Sequence, residues 1–205
     1  SYGDMDPATA APYACSGLTA FSALKKIPET IVDDWIIIIG AGGVGINGIL
    51  LSPAVHKAKI LVIDNDKEKR EKAIEAGADE AFSPNDEDKI RKLIGIGAVA
   101  TIDFVGRPET TDLGLSLVKK GGMVIVVGLY GGSLKMSLPL VPMRSITLRG
   151  SYVGELRELK ELVNIIKSGK IKLIPVKKQD LETANQAMSD LRAGKVNGRI
   201  VLIPK

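Results

Sequence analysis

The sequence predicts an α/β fold of the doubly wound kind, a parallel six-stranded sheet with helices on both faces. From Trp35 onward, short runs of branched aliphatic residues alternate with longer amphipathic stretches, the rhythm of strand–helix–strand units. Hydrophobic residues form 45% of the 205-residue chain and aromatics only 4%, which suits buried parallel strands covered by helices. A glycine-rich turn, Gly40-Ala41-Gly42-Gly43-Val44-Gly45, follows the first aliphatic run directly.

The elements follow in order. Residues 6–26 are helical in tendency, carry Cys15 and end before Pro28. Strands are expected at 35–39, 60–63, 99–104, 123–127, 146–148 and 200–203, and helices at 44–51, 67–76, 86–94, 109–118, 155–168 and 181–192. In the helix from Glu155, the residues Leu156, Leu159, Leu162, Val163 and Ile166 recur at helical spacing and define one apolar stripe. Gly169 follows where a left-handed cap is wanted. Pro53 breaks the pattern: it lacks the N–H that a helix interior needs, so the helix after the glycine turn either stops near Leu51 or kinks.

Charge and cysteine content narrow the function classes. A net charge of +4 is spread among 28 basic and 24 acidic residues, which describes solvated helix faces and not a nucleic-acid surface. One cysteine excludes an intramolecular disulfide and fits a reducing compartment. No stretch reaches the length of a membrane span and no signal peptide is visible, so a cytoplasmic protein is expected. The start at Ser1 suggests a processed or excised chain.

The glycine turn carries the chemistry. Gly40, Gly42 and Gly45 match the dinucleotide fingerprint: a tight turn, close backbone approach to a pyrophosphate, and tight helix–strand packing. The helix that follows offers free N–H groups and a positive dipole end. Asp64 ends the next strand about 20 residues beyond Gly45, where the acid that accepts from an adenosine ribose belongs. This combination predicts a Rossmann-type domain that binds a dinucleotide. A carboxylate at 64 repels a 2′-phosphate, which favours NAD over NADP, although Lys69 and Arg70 soften that repulsion.

Taken together, the motifs resemble those of medium-chain dehydrogenases, specifically the zinc-dependent alcohol dehydrogenases, over essentially the whole chain. They are Ala11-Pro12-Tyr13-Ala14-Cys15-Ser16-Gly17-Leu18-Thr19, the glycine turn, Val62-Ile63-Asp64, Asp103-Phe104-Val105-Gly106, Val126-Val127-Gly128-Leu129 and Gly198-Arg199-Ile200-Val201-Leu202. The resemblance implies that Asp64, assisted by Lys69, holds the adenosine ribose, and that Phe104, Val105, Gly106 and Arg107 lie against the cofactor. It also implies that Val127 and Leu129 flank the nicotinamide with Gly128 between them. Thr19 and Val44 are implied near the ring, and Arg199 at the pyrophosphate.

The resemblance further implies that Cys15 is a ligand of a catalytic zinc. In that family a whole domain precedes this region and supplies the other zinc ligands, the proton relay and most of the pocket for an alcohol or carbonyl substrate. This chain offers no second cysteine, and its one histidine, His56, is expected to be a surface or helix-end residue. The expected organisation is therefore a helical lead-in (1–30), an NAD-binding domain (31–170) and a segment (171–205) that returns to the preceding domain. The chain alone is expected to lack catalysis and to hold little zinc. The family also implies sheets joined edge to edge near residues 138–151, giving a homodimer or tetramer. Two alternatives are a zinc-free quinone reductase, against which Cys15 and Asp64 argue, and a non-catalytic NAD(H)-sensing module.

Overall fold

Four successive isoleucines set the centre of the molecule. In the computed structural model, which describes residues 5–204, strand β1 (Trp35–Ile39) buries Ile36 to Ile39 on both faces. Residues 1–4 and 205, the outer ends of the first and last expected segments, lie outside the described residues. Because strand side chains alternate, Ile36 and Ile38 join one core while Ile37 and Ile39 join another.

β1 is flanked by β2 (Lys59–Ile63) and β4 (Ala98–Asp103), both parallel to it. Beyond them lie β3 (Glu80–Phe82) on one side, then β5 (Val118–Val126) and β6 (Thr147–Gly150) on the other, giving the order β3-β2-β1-β4-β5-β6. The Ile36 face is covered by α2 (Ser16–Lys25), α3 (Gly43–Leu51) and α8 (Leu156–Lys167), through Phe21, Leu24, Ile49 and Leu162. The Ile37 face is covered by α5 (Glu87–Ile94) and α6 (Pro108–Leu117), through Ile90, Ile94 and Leu117. This is the expected doubly wound sheet. Its strand order reverses between β1 and β4, so a crevice opens at the carboxyl ends of those two strands.

The expected six strands are not all the observed six. Residues 200–203 belong to β8 (Arg199–Ile203), which pairs in parallel with β7 (Val176–Asp180) in a separate two-stranded sheet. The sixth place is taken by β3, three residues too short to form an aliphatic run. The apolar pattern at 200–203 reported a strand but not its partner, which depends on the rest of the fold.

Smaller expectations resolve as follows. α3 stops at Leu51, and Pro53 sits in the first turn of a short 3-10 segment, Ser52–Ala54, where no N–H is needed. α2 ends at Lys25, before Pro28, and Gly169 takes a left-handed conformation after α8 (φ 67). The α8 stripe is only half used: Leu162 and Ile166 are buried, whereas Leu156 is 67% exposed. Helix α4 (Lys67–Ala76) has the expected limits and is capped by the Asp66 carboxylate, which accepts from the Glu68 N–H. Among the described residues no helix is long and apolar enough to cross a membrane.

His56 is half-buried and sits at a helix end, its backbone N–H donating to the Ser52 carbonyl just past the Ser52–Ala54 segment. Its Nε2 lies 2.9 Å from the Leu24 carbonyl and so carries the proton, leaving Nδ1 to accept from Thr30 Oγ1 at 3.4 Å. Thr30 Oγ1 already accepts the N–H groups of Lys57 and Ala58, so a protonated Nδ1 would face an oxygen with no lone pair to spare. Burial pushes the imidazole below its ordinary value of 6.5, against the opposing pull of the Leu24 carbonyl. Stability from this group is therefore full above about pH 6.5 and is lost as pH falls through the lowered folded value. Thermal melts at stepped pH should show a decline below that point, and His56→Gln should flatten it; an unchanged slope would contradict the assignment.

Candidate dinucleotide site

The crevice at the carboxyl ends of β1 and β4 is a cleft of about 510 Å³, within the usual range for ligand sites. Gly42 is extended and caps α3 without a side chain, so the first N–H groups of that helix, in the cleft wall, have no side-chain cap among the described residues. A Cβ on Gly45 would run into the Gly40 carbonyl, so strand and helix can cross this closely only with glycine at that point. Gly43 has a different reason: a Cβ there would lie 2.7 Å from Arg199 Cδ, so the bare backbone lets Arg199 cross the helix start from β8.

Asp64 closes the opposite wall. Its Oδ2 accepts the Ala41 N–H at 2.8 Å and its Oδ1 accepts the Asp66 N–H at 2.9 Å. A carboxylate offers about four acceptor positions, so capacity remains for two hydroxyl donors. Arg70 donates from Nη1 to the Asp64 carbonyl at 2.8 Å, whereas Lys69 lines the cleft.

The third wall follows β4. Asp103 is fully buried and its carboxylate organises the next turn: Oδ1 accepts the Val105 and Gly106 N–H groups at 2.9 Å each. Its Oδ2 accepts the hydroxyls of Thr110 and Thr111 at 2.8 Å each. Its backbone carbonyl takes the N–H groups of Val127 and Gly128, so one residue ties the β4 and β5 turns together. Those turns touch backbone to backbone, and a Cβ on Gly106 would strike the Gly128 carbonyl. Above them the Arg107 guanidinium lies 3.5 Å from the centroid of the Tyr130 ring, a stacked pair at the cleft wall.

Of the residues singled out in the sequence, Gly40, Gly42, Gly43, Val44, Gly45, Asp64, Lys69, Phe104, Val105, Arg107 and Arg199 line this one cleft. Gly106, Gly128 and Leu129 line an adjoining hollow with Arg107. Thr19, Val127 and Cys15 line neither. Val127 is buried in the core, and Thr19 donates its hydroxyl to the Cys15 carbonyl at 2.7 Å. Sequence reasoning missed the roles of Asp103, Thr110 and Tyr130, and the place of Asn65 in the cleft wall. An aspartate ending a buried strand was the available signal for Asp103; Tyr130 carries none.

Cys15 is a free, exposed thiol at the start of α2. Among the described residues no group of three or more His, Cys, Asp or Glu side chains could hold a metal ion. One thiolate is not the three-ligand set of a catalytic zinc. The donors among the described residues do not fit that metal.

Comparison with known proteins places this geometry. A family model described as zinc-binding dehydrogenase matches residues 43–168. The NAD-dependent alcohol dehydrogenase of Sulfolobus acidocaldarius is 36% identical over 202 residues, covering 97% of this chain and 58% of that protein. The D-arabinose 1-dehydrogenase (NADP(+)) of Saccharolobus solfataricus is 34% identical, over 98% of this chain and 59% of that protein. The crystal structure of the Aeropyrum pernix alcohol dehydrogenase superposes with a TM-score of 0.89 at 32% identity, covering 96% of this chain and 58% of that one. This chain thus spans a little under three fifths of the relatives it matches. With the matched residues running from the glycine turn through α8, the chain belongs to the zinc-binding dehydrogenase family.

Proposed function

We propose that this chain is the NAD(H)-binding part of an alcohol dehydrogenase. The observation that carries the reading is the pairing of an unencumbered helix start with Asp64 across one cleft. The α3 N–H groups and Arg199 hold the pyrophosphate, and Asp64, with Lys69 beside it, takes the adenosine ribose hydroxyls. Phe104, Val105, Gly106 and Arg107 form the wall along the cofactor. Val127, Gly128, Leu129, Thr19 and Val44 are assigned to the nicotinamide end. When bound, the nicotinamide supplies hydride exchange with an alcohol or carbonyl carbon; the chain's own residues bind and orient it.

Arg199→Gln tests the orientation. NADH affinity is expected to fall about tenfold, the loss of one charge-assisted phosphate contact, while adenosine, which has no phosphate, binds the variant and the parent alike. Equal losses for both ligands would overturn this placement of the pyrophosphate.

The remaining zinc donors, and the groups that choose the substrate, are assigned to a catalytic domain outside this chain. An apolar groove beside Cys15, lined by Met5, Tyr13, Ala14, Leu156, Leu159 and Val163, is the proposed seat of that domain. Support comes from the unmatched part of each relative's length and from the exposed half of the α8 stripe.

We also assign β6 to self-association as a homodimer, or a tetramer built from such dimers. Among the described residues β6 pairs only with β5, its four residues are exposed, and Leu138, Met143 and Tyr152 nearby are each at least 70% exposed. A free strand edge beside apolar surface is a template for pairing. Light scattering should give at least twice the chain mass, reduced to a monomer by Leu148→Lys; a monomeric parent chain would rule this interface out.

A further inference from the structure

Asn47 lies one turn into α3, fully buried between Ile46, Gly48 and Ile49. Asparagine is a poor helix former and an expensive side chain to bury. Its Nδ2 donates to the Gly43 carbonyl at 3.1 Å and to Ser16 Oγ at 3.1 Å. Ser16 Oγ in turn donates to the Pro12 carbonyl at 2.9 Å. Cys15 sits inside that turn: its N–H also points to the Pro12 carbonyl, and its own carbonyl accepts the Thr19 N–H at 2.8 Å. A continuous line of hydrogen bonds therefore runs from the glycine loop, through the Asn47 and Ser16 side chains, to the turn that carries the cysteine.

Stability does not account for this asparagine. Its Oδ1 is buried without a hydrogen-bond partner among the described residues, a desolvation cost that an apolar residue at this position would not carry. Ser16 would keep its bond to Pro12. A second tether also holds the turn in place: Tyr13 Oη accepts the Ile174 N–H at 3.0 Å, and the Pro175 carbonyl accepts the Arg199 N–H at 2.9 Å. What asparagine adds at position 47 is the link itself.

We propose that Asn47 is a positioning residue: it registers the Cys15 turn against the phosphate-binding loop, so that filling the loop is felt at Cys15. This rests on the reading of the loop as a dinucleotide site. Phosphates bound at the start of α3 restrain the Gly43 peptide, and the Asn47 amide carries that restraint to Ser16 and the turn. In a two-part active site, the link would set the cysteine only when cofactor is in place.

The experiment uses the full chain, in which Cys15 is the one cysteine, so alkylation by iodoacetamide at fixed pH reports on that turn alone. ADP is the probe, because it fills the adenosine and phosphate positions but has no nicotinamide to shield the thiol. Calorimetry first establishes ADP and NADH binding; labelling rates are then measured with and without saturating ADP. The parent chain is expected to label about fivefold more slowly with ADP, the lower end of ordinary coupling between sites. Asn47→Leu should still bind ADP and melt no lower than the parent, yet lose that rate difference. Ser16→Ala should lose it too, and the double variant should lose nothing more, the non-additivity of two residues acting in one link. Should Asn47→Leu fail to fold, Ser16→Ala reads the same link.

An ADP effect that survives in folded Asn47→Leu and in Ser16→Ala would overturn the proposal, as would ADP binding to the parent without any change in labelling. Absence of both ADP and NADH binding would instead overturn the dinucleotide reading, and this inference with it.

Discussion

Asp103→Ala is expected to cost roughly 3 kcal/mol or more of folding stability, because four donors around a fully buried carboxylate lose their acceptor at once. The Val105 and Gly106 N–H groups and the Thr110 and Thr111 hydroxyls all end on this carboxylate. The Thr110 hydroxyl can turn elsewhere, since its Oγ1 already lies 3.0 Å from the Arg107 carbonyl. The two backbone N–H groups cannot, and they lie in the turn that brings Gly106 against Gly128. The turn should loosen, and cofactor affinity should fall along with stability. Asp103→Asn is the finer probe, since its amide keeps one acceptor and presents two further donors to a site made of donors. Urea unfolding followed by far-UV circular dichroism measures both variants; a loss under about 1 kcal/mol for alanine would show that water satisfies the turn.

The second large effect is at Asp64. Asp64→Ser is expected to weaken NADH binding about tenfold to a hundredfold, the usual worth of hydrogen bonds to a charged partner. Two causes add. The ribose loses its carboxylate acceptor, and the Ala41 N–H loses the bond that holds the glycine loop against β2. NADPH should lose much less, because the same change removes a negative charge from beside its 2′-phosphate while Lys69 stays in the cleft wall. Preference between the two cofactors should therefore move toward parity. Parallel losses for both cofactors would mean that Asp64 acts on the loop alone and does not meet the ribose.

What could be read from the sequence, and what could not, divides along physical lines. β1 and the glycine loop were legible because their constraints are local: four isoleucines need burial on both faces, and Gly45 answers a collision with a residue five places away. α4 was legible to the residue, since Asp66 caps one end and Gly77 turns left-handed at the other. β3 and β7 were not, because three residues in one and a polar Val176-Lys177-Lys178-Gln179-Asp180 in the other become strands only through their neighbours. The same holds within the site. Arg199 comes to Gly43 from the far end of the chain, a proximity that the family resemblance implied and no local pattern encodes. Tyr130 meets Arg107 only after two turns have folded against each other. The half-buried His56, expected at the surface or a helix end, owes its burial to Leu24 and Thr30, which are remote from it in sequence.

The central claim is that this chain, on its own, binds NAD(H) through the glycine loop and Asp64. It is tested most directly by titrating the 205-residue chain with NADH and, in parallel, with NADPH, following nicotinamide fluorescence. The account predicts saturable NADH binding, displaced by ADP, and at least about tenfold tighter than NADPH, from the repulsion between Asp64 and a 2′-phosphate. Tighter binding of NADPH, or no saturable binding of either cofactor, would contradict it.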